Sequence, residues 1–155
     1  MPQPQPGDLA PDFTIAGETA LIALGDFAGK KLVLYFYPQD DTPGCTTENK
    51  DFSAQAAAFA AADASVLGIS RDTAAKHAKF RAKHALTIAL GADTDGAVTD
   101  SYGVWIVKSL YGRKYMGIER ATFLIGRDGR IARVWNKVKV AGHAAEVLAA
   151  AQNLA

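Results

Sequence analysis

Apolar residues occur along this chain in short runs, and their spacing alternates between that of strands and that of helices. The clearest strand runs from Leu32 to Tyr37, an unbroken apolar and aromatic segment that ends at Pro38. Such a run is typical of a strand that is buried on both faces. Val66 to Ile69 repeats this pattern, and Ile88 to Leu90 predicts a third, shorter strand.

Between these strands the apolar positions take the spacing of a helix. Phe52, Ala56 and Phe59 fall on one stripe within an alanine-rich segment, which predicts a helix from about Cys45 to Ala61. Asp72 or Thr73 can cap the next helix. Further helices are predicted over Thr73 to His84, Asp95 to Tyr102 and Gly142 to Asn153.

Two hairpins complete the predicted set of elements. The first lies within Phe13 to Leu24, and the second joins Ala121–Ile125 to Ile131–Trp135 through an Asp-Gly turn. The order of elements predicts a three-layer α/β fold, with a mixed but mainly parallel central sheet flanked by helices. We expect one domain over residues 1–155, with residues 1–6 loosely ordered.

Composition limits the classes of function. The chain has 155 residues and a net charge of +1, with both signs mixed along its length. It has enough residues for a substantial core and no gathered basic face for nucleic acid. Its first residues lack the features of a signal peptide, and its longest apolar run is too short to cross a bilayer. We expect a cytoplasmic protein with no membrane partner, and a monomer because no long exposed apolar strand is evident.

The candidate chemistry centres on Cys45, the single cysteine of the chain. A secreted protein stapled by disulfides would carry an even set of cysteines. Cys45 follows a loop, Pro38 to Gly44, and opens a predicted helix. The free N–H groups and positive dipole end there favour a thiolate, which is the nucleophilic form. The alternative is a buried small hydrophobic residue, the usual state of a lone cysteine, although Cys45 stands outside any apolar run.

The loop before Cys45 supplies one polar and several rigid groups. The Thr42 hydroxyl can reach the sulfur or a bound oxygen. Pro38 ends the strand, Pro43 stiffens the approach and can shield the thiolate, and Gly44 lets the backbone come close to a ligand. Each residue alone is explained equally well as part of an ordinary loop. Together, Pro-x-x-x-Thr-x-x-Cys is a specific pattern.

The segment from Tyr37 to Glu48 resembles the active-site segment of peroxiredoxins, and among them that of the bacterioferritin comigratory protein or peroxiredoxin Q subfamily. Similar segments occur across almost the whole chain, at residues 7–13, 66–72, 117–125 and 135–143. The resemblance implies a thioredoxin-like fold. It also implies reduction of hydrogen peroxide and organic hydroperoxides by thiol chemistry, with no metal, haem or flavin cofactor.

The resemblance also implies roles for the residues of the loop. Cys45 would be the peroxidatic cysteine, which becomes a sulfenic acid. Thr42 would hydrogen-bond the peroxide, and Pro38 would shape and shield the pocket. Local unwinding of the first helical turn is expected to expose the sulfenic acid.

Arg120 would be the active-site arginine according to the same resemblance. Its guanidinium would favour the thiolate and donate to the peroxide oxygens. Without the resemblance, a surface salt bridge with Glu119 is the simpler interpretation. Glu48 would orient Arg120 through a bidentate pair, and the alternative is a favourable acid in the first turn of a helix.

The chain departs from this subfamily in its number of cysteines. Relatives often carry a resolving cysteine five residues after the first, or in the following helix, where Lys50 and Arg81 stand here. The partner must then be an external thiol: thioredoxin, glutaredoxin, a small thiol or a second copy of the chain.

Other functions have less support in the sequence. A redox sensor that uses Cys45 without fast turnover stays open. A thioredoxin-type oxidoreductase is disfavoured because no Cys-x-x-Cys occurs. His77, His84 and His143 lack metal-ligand spacing, so no metal site is predicted.

Overall fold

This computed structural model describes residues 2–155. The described part of the chain contains nine strands, five α-helices and one 3₁₀ turn, joined by loops. The strands are β1 Thr14–Ala16, β2 Leu21–Ala23, β3 Lys31–Phe36, β4 Ala64–Ser70, β5 Ala89–Ala92, β6 Trp105–Leu110, β7 Arg113–Ile118, β8 Ala121–Ile125 and β9 Ile131–Trp135. The helices are α1 Pro43–Ala54, α2 Ala56–Ala61, α3 Ala74–His84, α4 Ala97–Ser101 and α5 His143–Asn153, with the 3₁₀ turn at Leu24–Phe27.

Seven strands form one mixed sheet in the order β2-β1-β5-β4-β3-β8-β9. The pairs β3–β4 and β4–β5 are parallel, and the four other neighbouring pairs are antiparallel. The prediction of a mixed sheet is confirmed, but the prediction that it is mainly parallel is wrong. The pairs β1–β2 and β8–β9 are the two predicted hairpins, and short connections can join only antiparallel strands. The pairs β1–β5 and β3–β8 attach these hairpins to the parallel centre, and they too are antiparallel.

The central strand β3 is buried along its whole length, as its apolar run predicts. Its alternate residues face opposite sides of the sheet and belong to two different apolar clusters. Leu32, Leu34 and Phe36 pack on one side, whereas Val33 and Tyr35 pack on the other. Cys45 belongs to the second cluster. The candidate nucleophile is therefore part of the apolar core.

The long helix predicted from Cys45 to Ala61 is two helices, α1 and α2. The Gln55 N–H donates to the Phe52 carbonyl at 3.1 Å, a contact three residues back that tightens and ends the first helix. The start of α3 is confirmed, since the Thr73 hydroxyl accepts from the Lys76 N–H at 3.1 Å. The helix predicted at Asp95–Tyr102 is shorter, spanning only α4.

The strands β6 and β7 form a hairpin that the apolar pattern does not predict. It is a separate two-stranded antiparallel sheet. Tyr111 and Gly112 at its turn have φ values of 50° and 76°. Left-handed residues at both central positions suit a tight hairpin turn, but such turns are signalled by Asn or Asp before Gly. Tyr111 stands where Asn or Asp is usual, so the sequence does not indicate this turn.

This hairpin also exposes apolar side chains. Val107 is 61% exposed, Leu110 57% and Met116 47%. The absence of an exposed apolar strand was the reason to expect a monomer, and that reason does not hold for β6 and β7. The oligomeric state itself stays a prediction.

The first residues run along the protein without regular secondary structure. Pro4 is buried, and the Gln3 amide donates to the Glu119 carboxylate at 2.6 Å. Met1 lies outside the described residues, so the prediction of loose order over residues 1–6 stays a prediction. Within residues 2–155, none of the helices combines the length and apolar character that a membrane span requires.

Candidate active site

Cys45 is the third residue of α1, which begins two residues earlier than the sequence predicts. Thr42 is the N-cap residue, and Pro43 occupies the first helical position, where its missing N–H costs no hydrogen bond. The first bond of the helix runs from the Thr46 N–H to the Thr42 carbonyl at 2.8 Å. The N–H groups of Gly44 and Cys45 therefore precede the helical ladder and are available to a bound oxygen.

The Cys45 thiol is buried and also bonded to a cation. The residue is 1% exposed and forms no disulfide. Arg120 lies in the link between β7 and β8, and its Nη2 donates to the Cys45 Sγ at 3.3 Å. The burial agrees with the alternative of a small core residue, but a guanidinium on the sulfur is not a feature of an inert core cysteine.

Glu48 holds the other side of the Arg120 guanidinium. Nη1 donates to Glu48 Oε1 at 2.5 Å. Glu119, the alternative partner, accepts instead from Gln3. The Glu48 Oε2 atom is buried and has no hydrogen-bond partner among the described residues. The contact between Glu48 and Arg120 is therefore confirmed, but the prediction that it is bidentate is wrong.

Burial controls the ionisation of this pair. It raises the pKa of Glu48 from 4.5 to about 7, although the charge and the hydrogen bond of Arg120 oppose the rise. Burial lowers the pKa of Arg120, but the charges of Glu48 and Cys45 outweigh this effect and hold that pKa above its ordinary value. Arg120 is thus a permanent cation beside the sulfur, whereas Glu48 changes its charge near neutral pH.

The other predicted residues surround Cys45 in different ways. The Thr42 hydroxyl donates to the Gln39 carbonyl at 2.9 Å, so its proton is engaged and its lone pairs stay free. A Cβ added at Gly44 would lie 3.3 Å from Arg120 Nη2, so the glycine permits the close approach of the guanidinium. Pro43 is exposed on the surface of the first turn.

A cavity of about 420 Å³ lies beside the loop that precedes Cys45. Pro38 and Gln39 line one side, and Lys108 and Tyr115 of the unpredicted hairpin line the other. Cys45 is not among the lining residues. The hairpin therefore contributes part of the surroundings of the site that sequence reasoning missed.

Sequence reasoning also missed a buried pair below the loop, Asp40 and His77. The His77 Nδ1 lies 2.6 Å from Asp40 Oδ2. His77 shares the buried face of α3 with Phe80, three residues later. A histidine on the apolar stripe of a helix was the available signal, since a buried polar residue needs a partner.

A helix-start cysteine contacted by an arginine, placed against a mixed sheet, is the arrangement that the resemblance to peroxiredoxins predicts. The chain belongs to the AhpC/TSA family, whose sequence profile matches residues 6–134. It is similar to peroxiredoxin Bcp of Bacillus subtilis, with 46% identity over 143 residues that cover 92% of this chain and 91% of the relative. Peroxiredoxin Bcp of Xanthomonas campestris is 49% identical over 123 residues, 79% of this chain and 77% of that protein.

Solved structures agree with this assignment. A cysteine-to-serine mutant of peroxiredoxin Q from Xylella fastidiosa matches with a TM-score of 0.90 and 38% identity, covering 96% of this chain and 95% of that chain. The bacterioferritin comigratory protein of Xanthomonas campestris matches with a TM-score of 0.86 and 42% identity, covering 90% of each chain. The thioredoxin-like fold and the resemblance to this subfamily are confirmed. The chain is a peroxiredoxin, a thiol-dependent oxidoreductase that acts on peroxide.

Proposed function

We propose that this chain is a 1-Cys peroxidase that reduces hydrogen peroxide and organic hydroperoxides through a sulfenic acid on Cys45. The observation that carries the proposal is the 3.3 Å contact between Arg120 Nη2 and the Cys45 sulfur at the start of α1. The chain has one cysteine, so no internal disulfide can form. The relative from Xanthomonas campestris was studied for alkyl peroxide reduction, which supports organic hydroperoxides as substrates.

In the first step the Cys45 thiolate attacks the terminal oxygen of the peroxide. The S–O bond forms as the O–O bond breaks, and the electron pair leaves on the second oxygen, which takes a proton to give water or an alcohol. The Arg120 guanidinium and the free N–H groups of the first turn stabilise the charge on the two oxygens. Arg120 stays protonated throughout because its pKa is raised.

Thr42 would fix the orientation of the substrate. Its hydroxyl proton is donated to the Gln39 carbonyl, so its lone pairs can accept the O–H of a hydroperoxide. Pro38 and Pro43 would limit the access of water, and Glu48 would orient Arg120. These groups together would hold the peroxide in line with the sulfur.

An external thiol would complete the cycle. A first thiol displaces water from the sulfenic acid and forms a mixed disulfide with Cys45. A second thiol then releases the Cys45 thiolate and leaves the reductant as a disulfide. Because the cysteine is 1% exposed, the first turn of α1 has to unwind before a reductant can reach the sulfur. Thioredoxin, glutaredoxin or a small thiol would supply the electrons.

The proposed role is antioxidant defence and cell redox homeostasis in the cytoplasm. We propose a monomer that binds neither nucleic acid nor a membrane. Sedimentation of the reduced protein over a range of concentrations tests the monomer, and a stable dimer would contradict it.

The direct test is intact mass after one equivalent of peroxide, with a dimedone-type trap for sulfenic acid. We expect a single adduct on Cys45, and none in Cys45→Ser. Arg120→Gln should slow the oxidation about a hundredfold. Arg127→Gln, which removes an exposed arginine, serves as the control. An adduct elsewhere, or equal rates for the two arginine variants, would contradict the mechanism.

Turnover separates the peroxidase from a redox sensor. Steady peroxide consumption with a thioredoxin or glutaredoxin system, abolished in Cys45→Ser, supports the enzyme. Oxidation that stops after one equivalent, without recycling by any thiol, would favour the sensor.

A further inference from the structure

We propose that His77 is a positioning residue of the peroxide site, and that it acts by fixing Asp40 in the loop that carries Pro38 and Thr42. The inference rests on the proposed function of that loop. His77 belongs to α3, and its short contact with Asp40 connects that helix to the loop.

The pair is completely buried and both ring nitrogens are engaged. Neither side chain is exposed to solvent, and His77 Nδ1 lies 2.6 Å from Asp40 Oδ2. On the opposite edge of the ring, Nε2 lies 3.0 Å from the Gly91 carbonyl oxygen. A carbonyl can only accept, so Nε2 carries a proton and donates it.

One more proton is shared between the two residues. With Nε2 protonated, the short contact between Nδ1 and Oδ2 needs a single hydrogen, on the ring or on the carboxyl group. The pair is neutral as a whole in both cases. The Tyr37 hydroxyl donates to Asp40 Oδ1 at 2.6 Å, so both carboxyl oxygens have partners. A substitution that takes the partner away from Oδ2 would leave one oxygen of this buried carboxyl group without a hydrogen bond.

This network anchors the middle of the loop to three elements of the fold. Tyr37 follows β3, and His77 belongs to α3. Asp72, after β4, accepts from the Asp40 main-chain N–H at 2.8 Å. Thr42, two residues after Asp40, donates its hydroxyl proton to the carbonyl of Gln39, the residue before Asp40. The position of the Thr42 hydroxyl therefore depends on where Asp40 is held.

The loop needs such an anchor because its backbone is strained. Asp41, between Asp40 and Thr42, has a φ of 60°. Residues other than glycine occupy this region at a cost and persist there only when their surroundings hold them. Lys83 and His84 bind the Asp41 carboxylate at 2.8 and 3.0 Å, but these contacts are exposed to solvent and contribute little. The buried tie through Asp40 is the stronger constraint.

Two substitutions of His77 each remove one of its two hydrogen bonds and keep the other. In His77→Asn the amide can replace Nδ1 and keep the tie to Asp40 while it loses Gly91. In His77→Gln the longer amide can replace Nε2 and keep the tie to Gly91 while it loses Asp40. We expect His77→Gln to slow oxidation of Cys45 by hydrogen peroxide about tenfold or more, because the loop loses its position. His77→Asn should stay close to wild type.

A second measurement separates positioning from general loss of structure. Alkylation of Cys45 by iodoacetamide depends on the thiolate and on the opening of the first turn of α1, but not on the Thr42 hydroxyl, so its rate should be the same in both His77 variants. His84→Asn is the matched control, since it cuts the exposed tie to the same loop and should leave both rates unchanged. If His77→Gln does not fold, Asp40→Ala and Asp40→Asn replace the pair. The amide that Asp40→Asn introduces can donate to a neutral His77, so only Asp40→Ala should slow the peroxide reaction.

The outcomes distinguish the two proposals. If the wild-type protein forms no sulfenic acid on Cys45, the proposed function is wrong. If the wild type reacts but His77→Gln or Asp40→Ala reacts equally fast, the positioning role is wrong. A parallel loss of peroxide reaction and alkylation would also overturn it, because it would indicate a purely structural role.

Discussion

Replacing Glu48 with glutamine isolates the energetic cost of ionising a carboxyl group inside the site. Glu48 is buried, with one oxygen on Arg120 and the other without a hydrogen-bond partner among the described residues. Glutamine keeps the shape of the side chain and an oxygen that can accept from Arg120, but it cannot ionise. The difference between the two proteins therefore reports the titration of Glu48.

The magnitude follows from the pKa. Burial raises the pKa of Glu48 from 4.5 to about 7, which corresponds to about 3 kcal/mol. A raised carboxyl pKa means that the folded state prefers the neutral form. Its contribution to stability is therefore complete below pH 4.5, declines as the pH rises, and is lost above about pH 7. Wild type should lose about 3 kcal/mol relative to Glu48→Gln across this window.

The assay is urea unfolding of wild type and Glu48→Gln at a series of pH values between 4.5 and about 7. Burial lowers the pKa of His143 from 6.5 to about 4, so His143 removes stability as the pH falls below 6.5. This opposite trend is common to both proteins and cancels in their difference. Asp100→Asn, which removes an exposed carboxylate, should parallel wild type. A flat difference between wild type and Glu48→Gln would refute the reasoning.

Three further substitutions have defined outcomes. Gly44→Ala places a Cβ 3.3 Å from Arg120 Nη2 and should displace the guanidinium. Stopped-flow oxidation of Cys45 should therefore slow by up to about tenfold. An unchanged rate would contradict the need for a glycine at this position. Gly68→Ala places a Cβ 2.6 Å from the Tyr35 ring and should lower the free energy of unfolding by about 1–3 kcal/mol. Arg81→Lys cannot reproduce the guanidinium's bonds to one carboxylate and two carbonyls, and should lower the free energy of unfolding by about 1–3 kcal/mol. For the last two, equal denaturant midpoints for variant and wild type would contradict the packing described.

The sequence predicts those elements whose signals are local. The run of β3 is apolar at every position from Leu32 onward, and Thr73 offers a hydroxyl at the start of α3, so both were predictable without any knowledge of distant contacts. The antiparallel pairs β1–β5 and β3–β8 were not predictable in the same way, because the direction of these strands depends on how distant parts of the chain return to the sheet. The hairpin β6–β7 was missed since Tyr111 stands where a turn usually has Asn or Asp.

The residues of the site also differ in whether a local pattern in the sequence predicts them. Cys45 and Thr42 were evident from one short segment of the chain. Arg120 is separated from Cys45 by 75 positions and entered through the resemblance to peroxiredoxins, because nothing in its neighbourhood marks it. In the sequence, His77 is a candidate only for metal binding, and its partner Asp40 is one residue of a loop. Their contact depends on the packing of α3 under the loop, which no local pattern contains.

The separation of the β6–β7 hairpin from the seven-stranded sheet has a dynamic consequence. The two strands bond to each other and form no ladder with the larger sheet. Apart from its base, where Ile118 is buried in the core, the hairpin can open while β3 and β4 keep every backbone hydrogen bond. Amide protons of residues 105–118 should then exchange with solvent earlier than those of β3. The opening beside Pro38, which Lys108 and Tyr115 line on the hairpin side, can thus change its width while the central strands stay in place.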